Sequence, residues 1–160
     1  MKQVLSLSAL VLALAIAPAQ AMEINIAYSE DFQEKLEDDY GEREGERLSE
    51  FVANSLNKAF ERRGADASRV VVTIEDARPN RPTFKQLGDE PGLDFGRSIA
   101  IGGADFTGIA YNAAGEVVAE IEYDWFENDI RQVIGAATWT DAQRASRRFA
   151  DRMAKTVASQ

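Results

Sequence analysis

"SIAIGGADFTGIAYNAAGEVVAEIEYDWFE", Ser98 to Glu127, decides the fold. Two runs rich in β-branched and aromatic residues flank "NAAG", Asn112 to Gly115, which reads as a hairpin closed by a type I turn with Gly115 in the left-handed conformation. In the second run Glu120, Glu122 and Asp124 recur at every other position, so strand geometry puts them on one face and Ile121, Tyr123 and Trp125 on the other. Two registers fit the turn. If Asn112 pairs with Glu116, Gly103 falls opposite Trp125 and Asp105 opposite Tyr123. With a four-residue loop, Gly102 falls opposite Trp125 and Ala104 opposite Tyr123, which keeps Asp105 off the aromatic face. In either register a glycine lies beneath a large ring.

Outward from the hairpin, "EINIAYS" alternates with Ile24, Ile26 and Tyr28 on one face and reads as a first strand; "SRVVVTIEDA", Ser68 to Ala77, reads as a second. Between them an acidic connection, "EDFQEKLEDDYGE", leads into a helix from Gly45 to Arg63. There Leu48, Phe51, Val52, Ser55, Leu56, Ala59 and Phe60 share one face, and Gly64 provides the stop. A closing helix follows "TDAQ", with Thr140 and Gln143 set for a capping box and Trp139 for an apolar staple. Phe149, Met153 and Val157 form its apolar face, and Arg144, Arg147, Arg148, Arg152 and Lys155 its opposite face.

The order β-α-β-β-β-α predicts an α+β fold: a mostly antiparallel sheet of about four strands, with two helices packed on one face. The other face is then left to water, and Glu120, Glu122 and Asp124 belong to it. Residues 78–97, with three prolines and three glycines, break both periodicities and read as a long extended loop. Its Phe84, Leu87, Leu93 and Phe95 suggest parts that pack back onto the body.

The chain opens "MKQVLSLSALVLALAIAPAQA": a basic start, an apolar run from Val4 to Ala17, and Ala19-Gln20-Ala21. This is the pattern of a secretory signal peptide cleaved after Ala21, since the run is shorter than the roughly 20 residues that span a bilayer. The reading is residues 1–21 as leader and residues 22–160 as a single α+β domain without a transmembrane segment, sent to the periplasm or secreted. With no cysteine in the chain, disulfides, thiol chemistry and lipid attachment at a lipobox are excluded.

The formal charge of −9, or −10 without Lys2, disfavours nucleic acid as a partner. Charge is unevenly placed: Glu30 to Glu50 holds ten acids and three bases, Asp141 to Gln160 five bases and two acids. Such blocks are either solvated helix faces or a dipole that docks on something charged.

No histidine occurs, which removes Ser-His-Asp catalysis, imidazole acid-base chemistry and histidine-ligated zinc. "GGADFTG" lacks the lysine and the following helix of a phosphate loop. Glu120, Glu122, Asp124, Glu127 and Asp129 suit a calcium ion in ligand chemistry, but strand alternation spaces neighbours by about 7 Å, too far to converge without a loop. Paired carboxylates about 5 to 10 Å apart, Glu120 with Glu122 or Glu122 with Asp105, could serve glycosidase-type hydrolysis, given a cleft. Arg78, Arg81 and Arg97 bracket the long loop; they either clamp an anion or pair with Glu75, Asp76, Asp89, Glu90 and Asp94. Nothing calls for a cofactor.

The runs "SRVVVTIEDARPNRP", "GRSIAIGGADFTGIAYNAAGEVVAEIEY" and "WTDAQRASRRFADRMAK" resemble small secreted or lipid-anchored envelope domains of unknown function from proteobacteria, over about Ser68 to Lys155. Those domains join an arginine- and glycine-rich strand to a D/N-x-x-G-x-V hairpin and a closing amphipathic helix; Asn112, Gly115 and Val117 match the hairpin. The lipobox cysteine of the lipid-anchored members has no counterpart. The resemblance implies a fold type and an envelope location, and carries over no catalytic residue. The expectation is a non-catalytic periplasmic binding or accessory protein that meets an envelope protein or charged envelope component. Its candidate contacts are Glu120, Glu122, Asp124, Arg78, Arg81 and Arg97. The alternatives are a paired-carboxylate hydrolase and a calcium-binding protein.

Overall fold

The computed structural model describes residues 21–160, so the leader expected over residues 1–21 falls, apart from Ala21, outside the described residues. The elements are β1 (Glu23–Tyr28), α1 (Glu30–Lys35), a π-helical turn (Leu36–Tyr40), α2 (Glu42–Arg63), β2 (Arg69–Arg78), α3 (Phe84–Asp89), β3 (Gly103–Tyr111), β4 (Val117–Phe126), a 3-10 turn (Ile130–Val133) and α4 (Thr140–Ala158). The strands lie in the order β1-β2-β3-β4, antiparallel except for β1 against β2. A parallel pair needs a long crossover, and α1, the π turn and α2 supply it.

The predicted α+β class is what the structure shows: helices cover one face of an open sheet. Ile24, Ile26, Val70, Val72, Ile74, Phe106 and Ala110 point into this layer, where they meet Leu48, Val52 and Leu56 of α2 and Phe149, Met153 and Val157 of α4. At the centre of β3, Gly108 lets α4 approach closely; a Cβ there would sit 2.6 Å from the Phe149 ring and 2.8 Å from the Met153 methyl. The glycine expected opposite Trp125 is not there: Ala104 occupies that position, and the close approach at Gly108 is to Phe149 and Met153 of α4.

Several local expectations are corrected. The acidic connection is helical, because Ser29 caps α1 by accepting the Phe32 N–H and because Phe32 and Leu36, one helical turn apart, are both buried. The long loop contains α3, started by a capping box between Thr83 and Gln86; Leu87 and Leu93 are half-buried, but Phe84 and Phe95 are exposed. Ser98 to Gly102 precede the strand rather than belong to it. At α4 the Thr140 hydroxyl accepts the Ala137 N–H instead of capping the helix, and Trp139 is buried with its indole N–H donating to Glu44 at 2.6 Å.

Both hairpin registers are displaced. The Asn112 N–H does donate to the Glu116 carbonyl, and Gly115 takes a φ of 81°, so the turn is as read. One residue further on, a bulge inserts Val118 on β4 without a partner on β3, after which Asp105 lies opposite Asp124 and Thr107 opposite Glu122. The bulge keeps all carboxylates on the open face.

Candidate functional site

Strand β4 is an edge of the sheet. The Glu127 N–H donates to the Gly102 carbonyl at 2.9 Å. Antiparallel pairing alternates along a strand, so Ile121, Tyr123 and Trp125 share that phase and direct their backbone groups toward β3. Glu120, Glu122 and Asp124 direct their N–H and C=O groups outward. A row of backbone donors and acceptors therefore lies open along this edge.

The two faces flanking the row carry opposite charge. On the helix side, α4 arginines lie over the half-buried aromatics of β4: the Arg148 guanidinium is 4.2 Å from the Trp125 ring centre and that of Arg152 5.0 Å from Tyr123. With Arg144, Arg147 and Lys155 they wall a groove of about 800 Å³ floored by Ile121 and Tyr123. Asp151, also in the groove, is held by Arg62 at 2.7 Å and Arg63 at 2.6 Å, which lowers its pKa from 3.8 to about 2. Arg144 pairs with the buried Asp141. Among the described residues, Arg147, Arg148, Arg152 and Lys155 have no carboxylate within ion-pair distance.

On the open side stand Glu120, Glu122 and Asp124, all exposed, with Asp105 beside Asp124. Partial burial, then the Asp124, Glu75 and Asp76 carboxylates, raise the pKa of Asp105 above its ordinary value. The Thr107 hydroxyl donates to Glu75 at 2.7 Å, and Lys35 pairs with Asp76 at 2.9 Å. Among the described residues no three acids gather in an arrangement that could hold a metal ion. Asp105 and Asp124 stand side by side on neighbouring strands, and neither they nor Glu120 and Glu122 line the α4 groove or the smaller cavity beside the loop.

The three loop arginines have separate surroundings. Arg78 lies over the Phe126 ring at 4.8 Å and reaches Asp76 at 3.6 Å. Arg81 donates to the carbonyls of Ala136, Phe95 and Gly96, so its guanidinium ties the loop to the segment before α4. Arg97 is exposed, with its backbone N–H on Asp94. Beside them, Asn80 is fully buried: its amide donates to Asp141 at 2.5 Å and to the Ala100 carbonyl at 3.1 Å, while its oxygen accepts the Asp141 N–H at 2.9 Å. Phe84, Phe95, Ile99, Ile101, Ile130 and Ile134 leave large apolar surfaces exposed on this loop and on the segment following β4.

Reading the sequence put the five bases on the outer side of the last helix but did not place Arg148 and Arg152 over β4. Their four-residue spacing, matched to the two-residue spacing of Tyr123 and Trp125, is the signal that a helix crosses that strand.

Fold and surface together define a two-layered, open-faced α+β domain with an unpaired edge strand between a basic and an acidic face. The chain matches no known family model and no curated protein. Among solved structures, the 2.35 Å crystal structure of a minor lipoprotein from Acinetobacter baumannii is similar at 10% identity and a TM-score of 0.29, over 86% of this chain and 90% of that one.

Proposed function

We propose that this is a non-catalytic binding protein of the bacterial envelope, periplasmic once its leader is removed, which takes up a charged partner along β4. The observation that carries this reading is the open backbone row of Glu120, Glu122 and Asp124, set between the unpaired α4 bases and the acidic sheet face. The leader-like start supports the compartment. The exposed apolar residues of the long loop and of the segment after β4 offer a second area of contact. A paired-carboxylate hydrolase or a calcium site would have to use the open face, where the acids stand in a row along strands rather than around a cleft.

Photo-crosslinking in cells tests the reading. A photoreactive residue at position 122 or 148 is expected to give an adduct of defined mass, and one at the fully buried Val72 none. A folded, exported protein that gives no adduct from either surface position would overturn it.

A further inference from the structure

We infer that β4 receives an added strand from its partner, and that the added segment alternates acidic and basic residues. The inference rests on the reading of β4 as the binding surface and goes further by stating the chemistry of what binds.

The outward N–H and C=O groups of Glu120, Glu122 and Asp124 match the ladder of an incoming extended chain. Successive side chains of such a chain fall on opposite faces of the extended sheet. Those on the helix side would lie beside Arg148 and Arg152, whose guanidiniums rest over the Trp125 and Tyr123 rings at 4.2 Å and 5.0 Å and have no carboxylate within ion-pair distance among the described residues, so their N–H groups can take carboxylates. Those on the open side would lie beside Glu120, Glu122 and Asp124, which favour lysine or arginine. A wholly acidic segment is repelled on one face and a wholly basic one on the other. Alternation satisfies both.

The same geometry disfavours a second copy of this chain. Two-fold antiparallel pairing of β4 with itself would set the acidic row against its own image on one face and the α4 bases against theirs on the other. The edge is thus closed to self-association by charge and open to a segment of complementary pattern.

The test uses two fluorescein-labelled peptides of about ten residues, a common strand length, with equal numbers of lysine and glutamate. One alternates them singly; the other repeats Lys-Lys-Glu-Glu, so that neither face is uniform. By fluorescence anisotropy on the purified exported protein, the alternating peptide is expected to bind at least about tenfold more tightly. Glu122→Pro, which removes an outward N–H and leaves the β3 ladder intact, should abolish that preference; Glu122→Gln, which keeps the N–H, should weaken binding less than about threefold. Charge reversal by Arg148→Glu with Arg152→Glu should also abolish it. Equal affinity for the two peptides overturns the inference. So does an undiminished preference in a Glu122→Pro protein that circular dichroism shows to be folded. If that variant does not fold, the peptide comparison and the double arginine variant decide. Crosslinks from positions 122 and 148 that persist while the peptides bind equally would sink strand addition alone. Absence of both would sink the binding reading as well.

Discussion

Asn80→Ala should cost the protein about 4 kcal/mol. The Asn80 side chain is fully buried and makes three hydrogen bonds: one to the Asp141 carboxylate, one to the Ala100 carbonyl and one from the Asp141 N–H. A bond to a charged group contributes about 1.5–3 kcal/mol and a neutral one about 0.5–1.5, so their combined loss spans about 2.5–6 kcal/mol and centres on about 4. Asp141 would keep Arg144 at 2.8 Å and the Gly102 N–H at 3.3 Å, which holds the penalty below that of a bare buried charge. A domain of this size has a stability of about 5–15 kcal/mol, so the variant should still fold. Urea unfolding followed by the fluorescence of Trp125 and Trp139 should show a lower midpoint with an unchanged slope. Hydrogen exchange should accelerate most between Arg81 and Gly102, because the Asn80 amide that the variant removes donates to the Ala100 carbonyl and ties the loop to Asp141 at the start of α4. A loss below about 1 kcal/mol, or exchange raised uniformly over the chain, would refute the assignment of Asn80 as the pin of this loop.

Three further outcomes are expected. Gly108→Ala should destabilise by about 1–3 kcal/mol in thermal unfolding, since the new methyl meets the Phe149 ring at 2.6 Å; an unchanged transition would mean that α4 can shift away. The folded-state pKa of Asp105 is raised, so its effect is to remove stability as pH climbs from the ordinary value of 3.8 through the raised one. Asp105→Asn should therefore be the more stable protein at neutral pH, and the gap should close at about pH 3; a variant less stable at neutral pH would contradict this. Asp151 has the opposite sign: its stabilisation is present above 3.8 and fades as pH falls toward about 2. Its side chain is 39% exposed, so screening limits the loss on Asp151→Asn to about 1 kcal/mol at neutral pH, and the difference in urea midpoint should vanish in acid.

The strands and both long helices were legible because each has one buried face and a clean period. Leu48, Val52, Leu56 and Phe60 on α2, and Phe149, Met153 and Val157 on α4, sit in the core as their spacing requires. The hairpin register was not legible, because a bulge is an inserted residue and Val118 has no chemical mark separating it from its neighbours. The short α1 and α3 escaped notice for a different reason. Each is six residues long and held by a cap and by tertiary contact, too short for periodicity to stand out in an acidic or proline-rich stretch. Of the candidate site, strand alternation alone placed Glu120, Glu122 and Asp124 on one face. What they flank was invisible, since Arg148 and Arg152 come from a helix that begins fourteen residues after β4 ends.

Under the proposed reading, those arginines would join packing to recognition. Tyr123 and Trp125 lie near the margin of the helix layer, and an edge strand bearing uncovered aromatics would invite non-specific association. Guanidiniums placed over the rings cover the apolar surface and keep a positive charge where a hydrocarbon side chain would leave a neutral patch. A guanidinium can stack by its face and donate by its edge at the same time, whereas an ammonium has no plane to divide between the two tasks. Lysine at 148 or 152 would therefore keep the formal charge of the groove and lose the fixed direction of its donors. If β4 takes an added strand as proposed, its edge would be selective because the groups that shield its aromatics are also those that would present charge to the incoming chain.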